Sequence, residues 1–575
     1  MDQLDLAPPK IISRSYPEDV AQCLVAAGIS PLLARIYAAR GILDPAQLDT
    51  GLGNLLPFTQ LKNAQAMAVL LADAIAQNKK LLIVADYDAD GATACAIGLR
   101  GLRAMGGRVD FIVPNRFEYG YGLTPEIVRL AAQSEPDILI TVDNGIASVE
   151  GVAEANRFGM QVLVTDHHLP GESLPDALCI VNPNQPGCGF PSKNLSGAGV
   201  MFYVLLALRA ELRARGAFAG ETREPNLGNL LDLVALGTVA DVVKLDDNNR
   251  ILVWQGLQRI RAGRACCGIN ALLQTAKKPP ERASAYELGF VVGPRLNAAG
   301  RLEDMSLGIA CLLGDKMGEA AAIAAQLDAL NRERRSIEVE MQQSALAALE
   351  GANLPGSCSG EDGVRSSIAM FDESWHQGVI GILASRLKDK FHRPVIAFAR
   401  AQEGELKGSG RSIPGLHLRD ALDRVPHLLQ KFGGHAMAAG LSVREERFDE
   451  FRAAFESVAQ SLLTPADLEQ IVETDGALAA AHCTLEMAQR LDGEVWGQGF
   501  PQPAFCDAFE VAQQRVVGEK HLKLRLARGV QQFDAILFSH AEPLPEKIRA
   551  VYRIGVNEFN GASSLQLTVV HWEPT

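Results

Sequence analysis

The sequence predicts an α/β protein in which a parallel-sheet domain and a second α/β domain are joined by a long helix and followed by a C-terminal β-barrel. Short apolar runs alternate with amphipathic segments from residue 79 onward, which is typical of a parallel sheet covered by helices. Residues 319–350 contain neither Gly nor Pro and are rich in strong helix formers. Five short apolar runs between residues 505 and 571 predict an all-β end.

The first domain is expected over residues 76–250, after a helical lead-in over residues 1–75. Its strands are predicted at 81–85, 109–114, 138–142 and 162–165, with helices between them at 93–105, 125–133 and 149–158. A glycine-containing loop at 196–199 is expected to lead into a helix that ends at 215, and a further helix is predicted at 227–239. In such sheets, ligands bind beyond the carboxyl ends of the strands.

The remaining segments follow in chain order. They are a mixed connecting segment (251–318) with the motif Gly-Pro-Arg-Leu-Asn-Ala-Ala-Gly-Arg, the long helix (319–350), the second α/β domain (360–465) and the last domain (470–575). In the second α/β domain, residues 432–435 are expected to open a helical or loop stretch. The last domain is expected to be a barrel of the oligonucleotide-binding (OB) type, with a plain sandwich as the alternative.

Composition sets outer limits on the function. With 575 residues, of which 47% are hydrophobic, the chain is long enough for several globular cores. Its 10 cysteines include no Cys-x-x-Cys pair, so neither a zinc site nor a disulfide scaffold is predicted, and a cytoplasmic location is expected. No signal-like start and no apolar run of roughly 18 residues is seen, so no membrane contact is expected. The net charge of −13 argues only weakly against nucleic-acid binding, because carboxylates that hold cations contribute to it.

Four short segments place carboxylate and imidazole side chains directly after apolar runs. They are Asp86-Tyr87-Asp88-Ala89-Asp90-Gly91, Asp143-Asn144-Gly145, Asp166-His167-His168 and Ala240-Asp241. Hard divalent cations need several oxygen ligands that converge on one point, so these segments predict a two-metal site for phosphoester hydrolysis. A ligand set of carboxylates and one imidazole suits Mn²⁺ or Mg²⁺ better than zinc.

Each segment also has a simpler interpretation. The first is similar to a calcium loop, but its twelfth position is Ile97 instead of Glu, and a strand rather than a helix precedes it. An ordinary acidic turn stays open for that segment, Asp143-Asn144 fits a turn, and Asp241 fits a helix cap. The shared order of the segments at strand ends favours the metal site over four separate interpretations.

The motifs carry a family resemblance. The four segments resemble the motifs of the DHH phosphoesterase superfamily, and Gly433-Gly434-His435 resembles the signature of its companion DHHA1 domain. Blocks at residues 84–94, 293–301, 374–381 and 408–412 resemble the RecJ branch closely. The resemblance implies a 5′→3′ exonuclease that hydrolyses single-stranded DNA in repair and recombination, with a C-terminal domain that binds the strand.

The resemblance also implies roles for the metal ligands. Asp88 and Asp143 would hold one ion, and Asp90, Asp143, His167 and Asp241 would hold the other, so that Asp143 bridges two ions of Mn²⁺ or Mg²⁺. Some branches carry a His where this chain has Val84, so Asp86 is expected to supply the missing ligand. Asp166 is expected to fix the tautomer of the ligating imidazole, while His168 would face the substrate and either stabilise or protonate the leaving oxygen.

Substrate phosphates are expected to meet arginine forks and glycine-rich backbone. The residues expected to bind substrate are Arg116, Arg295, Asn297, Arg301, Ser409, Arg411, Gly433, Gly434 and His435. Tyr119 and Tyr121 are expected either to stack bases or to pack the loop.

By resemblance, the partners would be single-stranded DNA, single-stranded-DNA-binding protein and a RecQ-type helicase. One alternative is a DHH-family phosphodiesterase of oligonucleotides or dinucleotides, which the long helix and the barrel argue against. A second is a non-catalytic DHH scaffold in replication, which the retained carboxylates argue against.

Overall fold

The computed structural model describes residues 8–115, 119, 122–219, 223–351, 365–402, 404–559 and 561–575. The strands are β1 (Lys10–Ser13), β2 (Lys80–Ala85), β3 (Arg108–Ile112), β4 (Ile138–Val142), β5 (Gln161–Thr165), β6 (Cys179–Val181), β7 (Ile368–Phe371), β8 (Val395–Gln402), β9 (Glu405–Arg411), β10 (Lys431–Gly434), β11 (Ala438–Arg444), β12 (Ile471–Thr474), β13 (Phe505–Val517), β14 (His521–Arg528), β15 (Gln531–Leu537), β16 (Lys547–Phe559) and β17 (Ala562–Pro574).

The α-helices are α1 (Glu18–Ala26), α2 (Pro31–Ala38), α3 (Ala64–Ala76), α4 (Ala89–Ala104), α5 (Pro125–Ala132), α6 (Val149–Arg157), α7 (Gly197–Ala214), α8 (Leu231–Ala240), α9 (Asp247–Arg261), α10 (Cys267–Thr275), α11 (Gly293–Leu302), α12 (Ser306–Leu313), α13 (Met317–Gly351), α14 (Ile380–Phe391), α15 (Leu418–Leu422), α16 (Phe448–Leu462) and α17 (Leu485–Gly493). In the described part of the chain, no helix is both long enough and apolar enough to cross a bilayer.

The first domain is built on the predicted parallel sheet. Its strand order is β3-β2-β4-β5-β6, and every neighbouring pair is parallel. Strands β2 and β4 are buried along nearly their whole length, which is why they read as continuous apolar runs. The register pairs Val84 with Thr141 and Thr141 with Val164, so β2, β4 and β5 end side by side at one edge of the sheet.

The segment after this sheet is helical. Helices α9 to α12 occupy the connecting segment, which the sequence had described only as mixed. The expected boundary at residue 250 falls inside α9 (Asp247–Arg261). The long connecting helix is present as α13, two residues longer at its start than predicted.

The second α/β domain contains a mixed sheet with the strand order β10-β11-β9-β8-β7. Phe432, Gly433 and Gly434 lie in β10, which pairs antiparallel with β11. The expectation of a helical or loop stretch at this motif was therefore wrong, because strand pairing with β11 overrides the weak strand propensity of two consecutive glycines.

The C-terminal domain is a closed barrel with the strand order β13-β14-β15-β17-β16. This confirms the predicted barrel and excludes the sandwich. An additional parallel pair joins β1 to β12, from Lys10 opposite Ile471 to Ser13 opposite Thr474. The N-terminal segment is thereby tied to the chain that enters the barrel.

Candidate metal centre

The first acidic segment forms the turn from β2 to α4. Asp86 Oδ1 accepts a hydrogen bond from Tyr87 N at 2.8 Å. Asp88 caps α4, since its Oδ1 accepts from Asp90 N at 2.9 Å and from Gly91 N at 3.0 Å. Asp90 lies in the first turn of α4 and is fully buried. The three carboxylates therefore fan out around a strand-to-helix turn.

The carboxylate of Asp90 is held by the start of α7. Its Oδ2 accepts from Gly197 N at 2.6 Å, and its Oδ1 accepts from Ala198 N at 3.0 Å. Residues 197–199 thus form the first helical turn, whereas the sequence was interpreted as a loop there. A Cβ atom at position 197 would lie 2.5 Å from the Cβ of Asp143, so only glycine fits. Sequence analysis missed this contact, although Ser196 before the glycines is a recognisable helix cap.

Asp143 lies directly after β4 in a left-handed backbone conformation, with φ of 64°. Its N donates to Thr165 O at 3.0 Å. The Nδ2 of Asn144 donates to Val84 O at 3.1 Å and to Val142 O at 2.9 Å, which ties the end of β4 to the end of β2. The Asp143-Asn144 turn therefore exists, and it aims a buried carboxylate at the sheet edge.

The Asp166-His167-His168 segment follows β5. Asp166 Oδ1 accepts from His167 N at 2.7 Å and from His168 N at 3.1 Å, and it lies 2.8 Å from His168 Nδ1. Its other oxygen, Oδ2, accepts from Ile146 N at 2.9 Å. The imidazole that Asp166 holds is thus His168, which corrects the expectation that it would orient the ligating imidazole His167.

His167 points to the carboxylates instead. Its Nε2 lies 3.1 Å from Asp143 Oδ1 and 3.4 Å from Asp241 Oδ2, where Asp241 caps the C-terminal end of α8. Three overlapping groups bring their ligand atoms within 4.8 Å of one another: Asp86, Asp88 and Asp143; Asp90, His167 and Asp241; and Asp143, His167 and His168. Asp143 belongs to two of these groups, as a bridging ligand would.

Burial and mutual repulsion shift the pKa values of these side chains. Burial and the neighbouring Asp88 raise the pKa of Asp90 to about 7. Burial and the surrounding aspartates raise the pKa values of Asp143 and Asp241 well above the ordinary range. Burial, together with His168, lowers the pKa of His167 to about 3, so this imidazole is neutral and able to act as a ligand.

The donor atoms fit a pair of hard divalent cations. Within the described residues, Asp143 Oδ1 and His167 Nε2 are buried side-chain atoms that have no hydrogen-bond partner. Buried polar groups are nearly always satisfied, so two such atoms 3.1 Å apart indicate a missing positive partner. Clustered carboxylate oxygens with one neutral imidazole are the donors that Mn²⁺ and Mg²⁺ accept.

Helix α11 packs directly on the acidic turn between β2 and α4. Asn297 Oδ1 accepts from Ala89 N at 2.8 Å. A Cβ atom at position 300 would lie 1.9 Å from Tyr87 O, so Gly300 allows the helix to pack directly on the turn. Arg301 Nη1 donates to Gly378 O at 3.1 Å and so reaches the second α/β domain. Asn297 therefore supports the turn that holds Asp88.

Several predicted phosphate-binding residues come together in that second domain. Arg411 Nη1 donates to Ser409 Oγ at 3.3 Å and to Gly410 O at 2.8 Å. A Cβ atom at Gly381 would lie 2.9 Å from Ser409 Oγ and 3.2 Å from Arg411 Nη2. Gly378, which accepts from Arg301, and Gly381, which contacts Ser409 and Arg411, both lie in the block at residues 374–381, so the three side chains surround one corner.

His435 faces the metal centre across the gap between the two α/β domains. Its ring centroid lies 6.0 Å from that of His168, with the ring planes inclined by 32°. Gly433 and Gly434 precede it in β10. Burial and the nearby His168 lower the pKa of His435. The pKa of His168, in contrast, is raised. Although burial opposes it, the bond with Asp166 raises the pKa of His168 to about 9.

Four further residues were predicted to bind substrate or to stack or pack, and the structure describes two of them. Arg295 lies against the connecting helix, with Nη2 2.8 Å from Asp328 Oδ1 and Nη1 donating to Val291 O at 2.7 Å. Tyr119 is partly buried and packs against the hydrophobic cluster that contains Val84 and Ile127, which matches loop packing. Arg116 and Tyr121 lie outside the described residues.

Comparison with known proteins agrees with this architecture. The DHH family N-terminal domain matches residues 80–238, the DHHA1 domain matches 364–461 and the RecJ OB domain matches 474–571. The single-stranded-DNA-specific exonuclease RecJ of Salmonella typhimurium is 49% identical over 562 residues, which cover 94% of this chain and 96% of the relative. The protein of the same name from Bacillus subtilis is 33% identical, covering 94% of this chain and 68% of the relative.

Solved structures give the same result. The crystal structure of RecJ in complex with Mn²⁺ from Thermus thermophilus superimposes with a TM-score of 0.81 and 31% identity, covering 98% of this chain and 79% of that chain. The corresponding Mg²⁺ complex gives a TM-score of 0.76 and 29% identity, covering 98% of this chain and 78% of that chain. By sequence, by domain order and by the geometry of its carboxylates, the chain belongs to the RecJ family of the DHH phosphoesterase superfamily.

Proposed function

We propose that this protein is a metal-dependent exonuclease that hydrolyses single-stranded DNA in the 5′→3′ direction and serves DNA repair and recombination. The observation that carries the proposal is the buried junction of Asp143 Oδ1 and His167 Nε2, in a chain of which 94% aligns with a named single-stranded-DNA exonuclease. The two family crystal structures are complexes with Mn²⁺ and with Mg²⁺, which supports either metal here, and the overlapping ligand groups support two ions.

The proposed ligands keep the predicted division. Asp88 and Asp143, with Asp86 beside them, would hold one ion, and Asp90, His167 and Asp241 would hold the other. Asp143 would join the second set because its Oδ1 lies 3.1 Å from His167 Nε2. When bound, such ions lower the pKa of a water molecule and stabilise charge on a phosphate. The chain contributes preorganisation, because backbone N–H groups already hold Asp88 and Asp90 in place.

His168 acts on the leaving group in this proposal. Its Nδ1 is bound to Asp166, so Nε2 is the ring atom from which a proton passes to the departing oxygen. In the metal-free protein the bond with Asp166 raises the pKa of His168 to about 9, which favours the protonated ring. Asp166, with both oxygens engaged by the backbone and by His168, fixes the direction in which the ring donates.

The 5′ end of the DNA strand is recognised by the residues of the second α/β domain and of α11 that face the metal centre. We assign terminal phosphate binding to Arg301, Ser409, Arg411 and the segment Gly433-Gly434-His435 at the end of β10. Arg116, which lies outside the described residues, is assigned the same role from the family resemblance alone. Asn297 and Arg295 support the same pocket indirectly. Asn297 accepts a hydrogen bond from the acidic turn, and Arg295 forms an ion pair with the connecting helix. A pocket that caps a 5′ terminus gives exonucleolytic rather than internal cleavage.

The domain boundaries, partners and location are also proposed. We propose domains at residues 76–250, 360–465 and 470–575, supported by family matches at 80–238, 364–461 and 474–571. Residues 1–75, 251–318 and 319–350 cover and connect them. Single-stranded-DNA-binding protein and a RecQ-type helicase are the proposed partners. A cytoplasmic location is supported by the described cysteines, which are all free thiols.

The direct test uses end-labelled oligonucleotides with Mn²⁺ or Mg²⁺ and reads product length. We expect stepwise shortening of single strands from the 5′ end and little attack on blunt duplexes. A strand whose 5′ end is closed in a hairpin should resist digestion. Equal degradation from 3′ ends would refute the polarity, and cleavage without divalent ions would refute the metal requirement.

A further inference from the structure

Two asparagines follow the edge strand of the first sheet. Strand β6 pairs with β5 in parallel register, with Val181 opposite Thr165, so Asn182 leaves the sheet at the edge that carries the carboxylates. Asp166 N donates to Val181 O at 3.1 Å, which continues this alignment into the segment that contains the two histidines. Asn184 follows two residues later. Both asparagines therefore lie beside the histidine segment.

Asn182 holds the backbone of His168. Its Nδ2 donates to His168 O at 2.9 Å, and its side chain is fully buried. Its Oδ1 accepts from Asn184 N at 2.6 Å. An ionised carboxylate at this position could accept this second bond but could not donate the first. His168 is thus restrained at its carbonyl by Asn182 as well as at its ring by Asp166.

Asn184 holds the backbone of His167. Its Nδ2 donates to His167 O at 2.5 Å and to Lys193 O at 3.2 Å. Two residues beyond Lys193, the backbone of Leu195 hydrogen-bonds the ring of His167. Asn184 therefore ties the main chain of the proposed metal ligand to the segment that contacts its ring.

The loop between these groups is held together by its own side chains. Lys193 Nζ donates to Pro183 O and to Cys188 O, each at 2.7 Å. Gln185 is almost completely buried, and its Nε2 donates to Ile180 O at 2.9 Å. These bonds fix the asparagines relative to the end of β6, so the asparagines can restrain the histidines before an ion or a DNA strand binds.

Resting on the function proposed above, we propose that Asn182 and Asn184 are positioning residues for the two histidines and that their effects are separable. Asn184 sets the affinity for the divalent cation, because it orients the ligand His167. Asn182 sets the rate of phosphodiester cleavage, because it orients His168 toward the leaving oxygen. Loss of such outer contacts typically lowers metal affinity or activity by roughly 10- to 100-fold.

The first measurement is Mn²⁺ binding by the full-length protein without DNA, with the free ion followed by electron paramagnetic resonance. Asn184→Ala removes the donor to His167 O and should weaken Mn²⁺ binding by about tenfold or more. Asn182→Asp should leave Mn²⁺ binding no weaker than in the native protein. A carboxylate cannot weaken cation binding through its charge, so a loss in this variant would have to come from a displaced His167.

The second measurement is the cleavage of a labelled single strand at saturating Mn²⁺. Asn182→Asp keeps the oxygen that accepts from Asn184 N but loses the donor to His168 O. It should lower kcat by about tenfold and leave KM unchanged. Asn184→Ala should regain most of the native kcat once Mn²⁺ saturates the site, because the substitution leaves the contacts of His168 intact.

Asn156→Ala provides the matched control. Asn156 lies on α6 and its Nδ2 donates to Asp176 O at 2.9 Å, so this variant loses the same kind of bond in the same domain. It should keep the native Mn²⁺ affinity and kcat. The unfolding temperature of every variant is measured alongside. Asn182→Ala is the second variant at the buried position and replaces Asn182→Asp if the new carboxylate prevents folding.

Three outcomes would overturn the proposal. The first is a Mn²⁺ affinity of Asn184→Ala within about twofold of the native value, a difference in binding free energy too small for a displaced ligand. The second is a native kcat in Asn182→Asp. The third is an equal loss of Mn²⁺ affinity and kcat in both variants together with lower unfolding temperatures, which would make the asparagines general supports of the fold. Because Mn²⁺ binding is measured without DNA, it tests Asn184 even if the native protein fails to cleave DNA, in which case the proposed function alone is refuted.

Discussion

The two faces of the candidate site are built in different ways. The carboxylate face consists of Asp86, Asp88, Asp90, Asp143 and Asp241, and the opposite face consists of Arg301, Ser409, Arg411 and His435. On the first face, Asp90 and Asp143 are almost completely buried, and backbone N–H groups hold the turn. On the opposite face the side chains are partly or largely exposed.

This difference separates two tasks. Buried like charges repel one another, so the carboxylate face is complete only with cations and is rigid before substrate arrives. The opposite face carries partly exposed donors on α11, on β9 and just after β10, and can adjust to a phosphate. We infer that the first face determines whether chemistry occurs and that the second determines which end of which strand is cut.

The largest expected effect comes from the shared ligand of the carboxylate face. Asp143→Ala should lower kcat with Mn²⁺ by at least about 10³-fold, because a residue that belongs to two ligand groups cannot be replaced by its neighbours. Affinity for single-stranded DNA should remain within a few fold. The exposed Asp110, on β3 of the same sheet, supplies the control variant Asp110→Ala, which should keep native activity. If Asp143→Ala retains turnover, the carboxylate face does not determine whether chemistry occurs.

The second effect, on the opposite face, should appear in substrate binding. Arg411→Ala should raise KM for a 5′-phosphorylated strand by about 10- to 100-fold, as expected for a lost hydrogen bond to a charged group. The same change should matter less for a strand with a 5′-hydroxyl. Arg444→Ala removes an exposed arginine from β11 and serves as the control. An Arg411→Ala variant that loses kcat alone would contradict the assignment.

Stability should reveal the charge on the carboxylate face. The folded-state pKa of Asp90 is about 7, above its ordinary value of 3.8. The contribution of this group to the free energy of unfolding is therefore fully present at low pH and is lost as pH rises through about 7. Asp143 and Asp241 act in the same direction. The unfolding temperature of the EDTA-treated protein should therefore fall between pH 5 and pH 8, relative to the Mn²⁺-saturated protein.

At pH 8 the gap between the two preparations should reach about 5 °C or more, given the stabilisation that a saturating ligand supplies. Replacing a repelling carboxylate by an amide, as in Asp241→Asn, should narrow the gap and raise the unfolding temperature in EDTA. Differential scanning calorimetry across this pH range measures both quantities. A gap that does not widen with pH would show that repulsion is unimportant.

The same contrast explains what the sequence predicted. Buried parallel strands read as apolar runs, and each acidic motif follows such a run, so the fold and the carboxylates were predictable. The restraints behind them were not, because Gly197 and Asp90 are 107 positions apart, and Ala89 and Asn297 are 208 apart. The strand at Gly433-Gly434 was also missed, since only pairing with a neighbour makes two glycines extended.

The smallest expected effect distinguishes two arginines of one helix. Arg295 is engaged by Asp328 on the connecting helix, whereas Arg301 reaches Gly378 beside the Ser409 and Arg411 corner. Arg295→Lys keeps one cation near Asp328, so it should change KM by less than about threefold and lower stability by about 1 kcal/mol. Arg301→Lys loses the planar fork and should raise KM several times more. If both variants raise KM equally with unchanged unfolding temperatures, Arg295 also contacts the strand, and the opposite face extends along α11.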